Sequence, residues 1–221
     1  MFLIHTIKRN KLLKLLLIIS LQANILEYDD YYKYIKKNYF INDSFLKIFI
    51  MTHKDFKNLR FNPVYRIVAD DKSQLKKKYN LTIIYANEGK LYNKKRGYGE
   101  ISKLYYIYQL YKKGTLSSKY IGLNHYKRYF NFTDYIPDLD NIFNNYEIIL
   151  NNPYKKRGMR RNFCIHHICK AYDQIIDIIK DIKPEYYKTA IKASKAKIFY
   201  LRNVFIMKKN DFLKYCEFLF D

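Results

Sequence analysis

From Lys47 onward the chain alternates short apolar runs with amphipathic stretches, and this alternation limits the possible folds more than any other feature. KIFIMT (Lys47 to Thr52), YRIVAD (Tyr65 to Asp70) and LTIIYA (Leu81 to Ala86) are brief apolar segments closed by polar residues, the pattern of buried strands. KYIGLN (Lys119 to Asn124), YEIIL (Tyr146 to Leu150) and FYLRNVFIM (Phe199 to Met207) repeat it. Between them, Glu100 to Tyr111 places Ile101, Leu104, Tyr105 and Tyr108 on one helical face, and Lys113-Gly114 ends that helix. Leu139 to Asn145 reads as a short helix. Phe163 to Ile182 reads as one long helix stopped by Pro184, and Asp211 to Phe220 as a final amphipathic helix. Strands alternating with helices predict an α/β domain with a mostly parallel central sheet flanked by helices.

Residues 1–46 differ and are expected to form an N-terminal helical extension to a domain spanning 47–221. Lys8, Arg9, Lys11 and Lys14 precede LLLIISL (Leu15 to Leu21), which resembles a short signal peptide but is too short to cross a bilayer. The favoured reading is an amphipathic or buried helix, continued by a second over Tyr28 to Lys37. A peripheral contact with the inner membrane face is the next option. The 221 residues hold one sizeable domain, and 49% hydrophobic composition excludes a disordered chain. The net charge of +22 draws the chain to polyanions. Of its 42 basic residues 33 are lysines, however, in a chain also rich in Asn, Ile and Tyr. All have A/T-rich codons, so base composition explains part of the excess. Cys164, Cys169 and Cys216 form no paired framework, which favours a reducing, cytoplasmic compartment and buried helix cysteines. Cys164 and Cys169 flank His166-His167, but a zinc site lacks a second ligand pair.

In α/β sheets ligands bind at the carboxyl ends of strands. The first strand exits into Thr52-His53-Lys54, and a later one into Asn124-His125-Tyr126-Lys127-Arg128. Glu100 opens a helix after Gly97-Tyr98-Gly99, and Asn203 interrupts an apolar strand. These hydrogen bonders, aromatics and cations suit an anionic small molecule. Blander roles stand beside them: a loop histidine at 53, a helix-dipole carboxylate at 100, a backbone-paired amide at 203. The run His125 to Arg128 is the hardest to explain that way. A glycine-rich phosphate loop, a Gly-x-Ser-x-Gly elbow and a His-Glu-x-x-His motif are all absent from the sequence. Asp138-Leu-Asp140 has the letters of an Asp-x-Asp metal site but opens a helix after Pro137, where aspartates cap. Asp70-Asp71 does leave a strand, yet the lysines that follow suggest a solvated turn.

Several blocks, in order, resemble one family. IFIMTHK (Ile48 to Lys54), YGEISKLYYIY (Tyr98 to Tyr108), YIGLNHYKRYF (Tyr120 to Phe130), YEIIL and NVFIMKKNDFLKYCEFLF (Asn203 to Phe220) are similar to motifs of bacterial glycosyltransferases of capsule, exopolysaccharide and lipopolysaccharide synthesis. These were long catalogued as a domain of unknown function. The resemblance spans residues 47–221, and the block around His125 is its most specific part. Lys127 replaces a commoner arginine, and Tyr108 and Phe218 stand where tryptophan is usual. The family pattern runs beyond the last helix, so a C-terminally truncated product is expected.

The resemblance implies a GT-A-like fold and transfer of a hexose, galactose by the family's example, from a UDP-sugar to a polysaccharide or lipid-linked glycan acceptor. By strand order, Asn124 to Arg128 occupies the place where related folds hold Asp-x-Asp and a divalent metal. Cations stand there instead, which leads to the expectation of metal-independent transfer without a cofactor. Thr52, His53, Lys54, Tyr98, Asn124, Tyr126, Lys127, Arg128 and Asn203 would bind the donor, and His125 would hydrogen-bond or protonate a phosphate. Glu100 or Asp173 would be the base that activates the acceptor hydroxyl. Two rivals remain: an inactive relic of such an enzyme, and a basic nucleic-acid-binding protein. The second requires tyrosines interleaved with cations on one face, whereas most tyrosines here fall at apolar positions.

Overall fold

The computed structural model describes residues 25–27, 43–56, 64–88, 99–127, 130, 137–155, 158–200 and 203–220. The strands are β1 (Ile25–Glu27), β2 (Leu46–Met51), β3 (Tyr65–Ala69), β4 (Ile83–Tyr85), β5 (Tyr120–His125), β6 (Ile148–Leu150), β7 (Tyr154–Lys155), β8 (Ile198–Phe199) and β9 (Phe205–Lys208). The helices are α1 (Glu100–Lys112), α2 (Leu139–Asn145), α3 (Met159–His166), α4 (Cys169–Ile182), α5 (Pro184–Lys195) and α6 (Lys209–Phe220). Two compact units result: Leu26–Asn151 with Arg202–Leu213, and Met1–Ile25 with Asn152–Leu201 and Lys214–Asp221. Of the expected N-terminal extension, Ile25–Glu27 is a strand. Residues 1–24 and 28–42, including the second helix expected over Tyr28 to Lys37, lie outside the described residues. Among the described residues no helix is long and apolar enough to cross a membrane.

The first unit is built on a seven-stranded sheet of order β1-β6-β9-β5-β2-β3-β4. Strands β2, β3, β4 and β5 pair in parallel, and β9 runs antiparallel to both β5 and β6. The expected α/β architecture is therefore the observed one. Every residue of β2 is buried, as expected in a sheet covered on both faces; its one charged residue, Lys47, donates from Nζ to the Ser117 carbonyl at 2.8 Å. Leu46, Ile48 and Ile50 pack on one face with Ile67, Tyr120, Ile206 and the α2 residues Leu139, Ile142 and Phe143. On the other face Phe49 meets Tyr111 of α1 edge-on at 6.1 Å, and Phe212 meets the same ring at 5.7 Å. Gly122 lies between its register partners Ile48 of β2 and Ile206 of β9: a Cβ there would stand 3.0 Å from Ile48 Cγ1 and 3.2 Å from Ile206 Cγ1. The buried side of α1 is Ser102, Lys103, Leu104, Ile107, Tyr108 and Tyr111, rotated from the expected stripe, with Ile101 and Tyr105 half-exposed.

From Phe163 onward the structure corrects four expectations. The single helix expected over Phe163 to Ile182 is two helices, because His167 and Ile168 adopt extended backbone between α3 and α4. Pro184 starts a helix instead of only ending one; its fixed φ and missing N–H suit the first position of α5. Cys164 and Cys169 are joined by a disulfide across the α3–α4 turn, with Cα atoms 4.6 Å apart, and are not separate buried thiols. The apolar run Phe199 to Met207 also divides, into β8, which pairs with β7 in a small ribbon, and β9 of the main sheet. Tyr186 and Phe218 form a small core in this unit with Ile179 and Leu219 packed against it.

Candidate active site

The parallel strands β2, β3 and β5 end side by side, so their exits deliver Thr52-His53, Asp70 and His125 to one sheet edge. Helix α1 opens over the same edge. Gly99 precedes it with φ of 49°, a left-handed conformation suited to glycine, and Glu100 and Lys103 follow one turn apart on one helix face. Thr52, His53, Asp70, Gly99, Glu100, Lys103 and His125 line a cavity of about 330 Å³.

Within it, His125 Nε2 lies 3.2 Å from Glu100 Oε1. The Lys127 backbone N–H donates to His125 Nδ1 at 3.1 Å, which assigns the ring hydrogen of the neutral imidazole to Nε2, facing Glu100. The Asn203 side chain hydrogen-bonds the same carboxylate. Continuing the β5–β9 register from Leu123–Phe205 places Asn203 opposite His125, which accounts for the shared partner. Burial raises the Glu100 pKa above the usual carboxylate value; the Lys103 charge and the Asn203 hydrogen bond oppose that rise without cancelling it. Beside it, Lys103 Nζ pairs with Asp70 Oδ1 at 2.7 Å, and the side chains are 2% and 6% exposed. The contact is an ion pair and not a well-directed hydrogen bond; Asp70 Oδ2 accepts from Gln74 at 2.8 Å. Asp70 is thus buried and paired, contrary to the expected solvated turn. Asp71 does cap the short 3-10 turn Lys72–Gln74. The His53 pKa is lowered, first by desolvation and then by the Lys103 and Lys54 charges.

Beside His53, the strand exits bring two lysines to a buried tyrosine ring. Lys54 from the β2 exit and Lys127 from the β5 exit converge on the Tyr126 ring, at 5.8 and 5.5 Å from its centroid. His53 meets the same ring edge-on at 5.0 Å. Thr52 does not face outward as a free hydroxyl: its Oγ1 bonds the Lys54 carbonyl at 2.5 Å and shapes the strand exit.

Of the predicted site residues, Thr52, His53, Glu100 and His125 share the cavity, Lys54 and Lys127 lie over the buried Tyr126 ring next to His53, and Asn203 reaches Glu100. Asn124 does not join them. It is fully buried, and its Oδ1 accepts from the Phe130 N–H at 3.4 Å on the α2 side of the sheet. Strand alternation sends Asn124 and His125 to opposite faces. Asp173 belongs to the other unit, where Arg160 holds its carboxylate by two bonds of 2.7 Å and lowers its pKa. Tyr98 and Arg128 lie outside the described residues. Asp138 caps α2, and Asp140 accepts from Lys119 and Tyr120, so this pair works as structure. Sequence reasoning missed Lys103 and understated Asp70. The available signal was a lysine at an apolar position of α1, three residues after Glu100.

A second cavity, of about 760 Å³, lies at the carboxyl ends of β3 and β4. Asp71, Ser73, Tyr85 and Asn87 line it together with Tyr106, one turn beyond Lys103 on α1. Among the described residues no three His, Cys, Asp or Glu side chains converge as metal ligands.

Residues 47–221 match the family described as domain of unknown function DUF4422. The fold is similar to that of WbbM, a bifunctional glycosyltransferase solved in its apo form, with a TM-score of 0.60 and 19% identity. That similarity covers 80% of this chain but 36% of the WbbM chain. No curated protein matches the sequence significantly.

Proposed function

The chain belongs to the DUF4422 family, and from that membership and the cavity's chemistry we propose that it transfers a hexose from a nucleotide diphosphate donor to a glycan acceptor. The observation that carries the reading is Glu100. It is a carboxylate with a raised pKa, held between His125 and Asn203 at the strand exits, with two lysines over the Tyr126 ring next to His53.

In this reading the donor diphosphate lies along Lys54 and Lys127, which neutralise its charge as the bond from the anomeric carbon to phosphate breaks. The sugar enters the smaller cavity. The nucleoside extends towards Tyr85 and Tyr106; the edge from β5 to β4 spans three strand spacings, about 14 Å, long enough for a nucleotide sugar. Glu100 takes the proton of the incoming hydroxyl as that oxygen bonds to the anomeric carbon, and the nucleoside diphosphate leaves with the electron pair. The raised pKa makes Glu100 a stronger base than a solvated carboxylate. His125 keeps the carboxylate in place through Nε2–H, and Lys103 keeps Asp70 from adding a second free negative charge beside the phosphates.

The engagement of both cavity carboxylates by protein groups argues for protein cations over a divalent metal. The Asp70 carboxylate is occupied by Lys103 and Gln74, and that of Glu100 by His125 and Asn203. We therefore favour charge neutralisation by lysine. UDP-hexoses, UDP-galactose in both ring forms among them, are the donors to try first, with surface-polysaccharide or lipid-linked acceptors. Incubation with each donor and detection of released UDP tests the activity. Glu100→Gln should abolish release above background, while release equal to wild type would remove Glu100 from the chemistry.

A further inference from the structure

The second unit carries exposed apolar side chains at one of its turns. Neither α3 nor α4 contributes a fully buried residue; Ile175, Ile176, Ile178 and Ile179 of α4 are half-buried, Ile179 against the Tyr186–Phe218 core. The turn between these helices is the most exposed apolar feature among the described residues: Ile168 is 77% exposed and Ile165 53%. A single exposed isoleucine needs no explanation, but two within four positions on a constrained turn do. The Cys164–Cys169 disulfide closes this turn, so both isoleucines project from a fixed loop. The chain through this turn is rich in cations, one of which, Arg160, is paired with Asp173 of α4. Residues 155–170 include Lys155, Lys156, Arg157, Arg160, Arg161 and Lys170 and no acidic residue. Arg161, His166, His167 and Lys170 are exposed within that stretch.

We propose that the α3–α4 turn is a membrane-docking loop: Ile165 and Ile168 enter the acyl boundary of an anionic bilayer, and Arg161 and Lys170 rest among its headgroups. Apolar side chains projecting from a basic surface are the composition of interfacial anchors, and anionic lipid is the partner whose charge complements this one. The disulfide holds the loop in its inserted shape, so little conformational freedom is lost on docking. The inference does not rest on the sugar-transfer reading, and its failure would leave that reading intact.

The experiment is cosedimentation of the full chain with phosphatidylcholine vesicles, with and without phosphatidylglycerol, at about 0.15 M salt, where loose surface attraction is screened. The chain should pellet with the anionic vesicles and stay in solution with the zwitterionic ones. Ile165→Glu/Ile168→Glu should weaken binding at least about tenfold, and Arg161→Gln and Lys170→Gln about fivefold each. Circular dichroism should match wild type in every variant. The two charge variants leave the isoleucines in place and keep the test valid if the double variant misfolds. Absence of binding to anionic vesicles, or binding undiminished in the folded variants, would overturn the proposal.

Discussion

Lys103 Nζ sits 2.7 Å from Asp70 Oδ1, and both side chains are almost completely withdrawn from solvent. A buried ion pair is expensive to form, but removing one partner leaves a charge stranded in a poorly solvating interior. Lys103→Met should therefore cost about 3–5 kcal/mol, read from urea unfolding. Lys103→Met/Asp70→Asn should recover at least half of that loss, because no unpaired charge remains. A double variant no more stable than the single would show that the pair is not the source of the penalty.

Glu100 titrates above the ordinary carboxylate value because burial disfavours its charge. A base with this property loses activity as pH falls through its raised pKa, so the acid limb of the rate profile should lie above the usual glutamate range. The stability effect has the opposite sense. In that window the folded state binds more protons than the unfolded state, so stability falls as pH rises. Glu100→Gln should abolish transfer, by at least about a hundredfold, yet melt at or above the wild-type temperature at pH 7. The stability advantage should vanish below the normal glutamate pKa. Thermal melts across pH check the second half independently of any substrate.

Asp173 offers the internal comparison. Its carboxylate is tied by two bonds to Arg160, and its lowered pKa makes it a poor proton acceptor. Asp173→Asn should leave turnover close to wild type, without the loss of about a hundredfold or more that removal of a general base brings. A loss as large as that of Glu100→Gln would transfer the base role to Asp173.

Gly122 tests the sheet. A methyl group there meets Ile48 Cγ1, Ile206 Cγ1 and the Phe205 carbonyl at 3.0–3.3 Å, between the strands on either side of β5. Gly122→Ala should destabilise by about 1–3 kcal/mol through overpacking. Chemical denaturation with an unchanged m-value would give this result.

The main sheet was legible because its strands are short apolar runs of the right length, and β2, buried on both faces, is the clearest case. The candidate cavity followed from the rule that strand exits bind ligands, which brought His53, His125 and Glu100 into one reading. Asn124 was misplaced because a motif read as a string ignores strand alternation: its neighbour His125 reaches the cavity while Asn124 turns into the core. Lys103 was overlooked because its partner Asp70 is distant in sequence and only the β3 exit brings them together. The break between α3 and α4 was hidden by an apolar period that runs through it. A five-residue cysteine spacing does not by itself distinguish a disulfide from two thiols on one helix.

The central claim is a donor site whose charges are supplied by protein cations at the strand exits. Calorimetric titration of the full chain with UDP and UDP-hexoses, first with manganese and then with chelator, tests it most directly. The account predicts micromolar binding that survives the chelator and weakens about fivefold or more in Lys54→Ala and Lys127→Ala, as expected for loss of a charge-assisted phosphate contact. Binding that requires manganese, or no binding by a demonstrably folded chain, would contradict it.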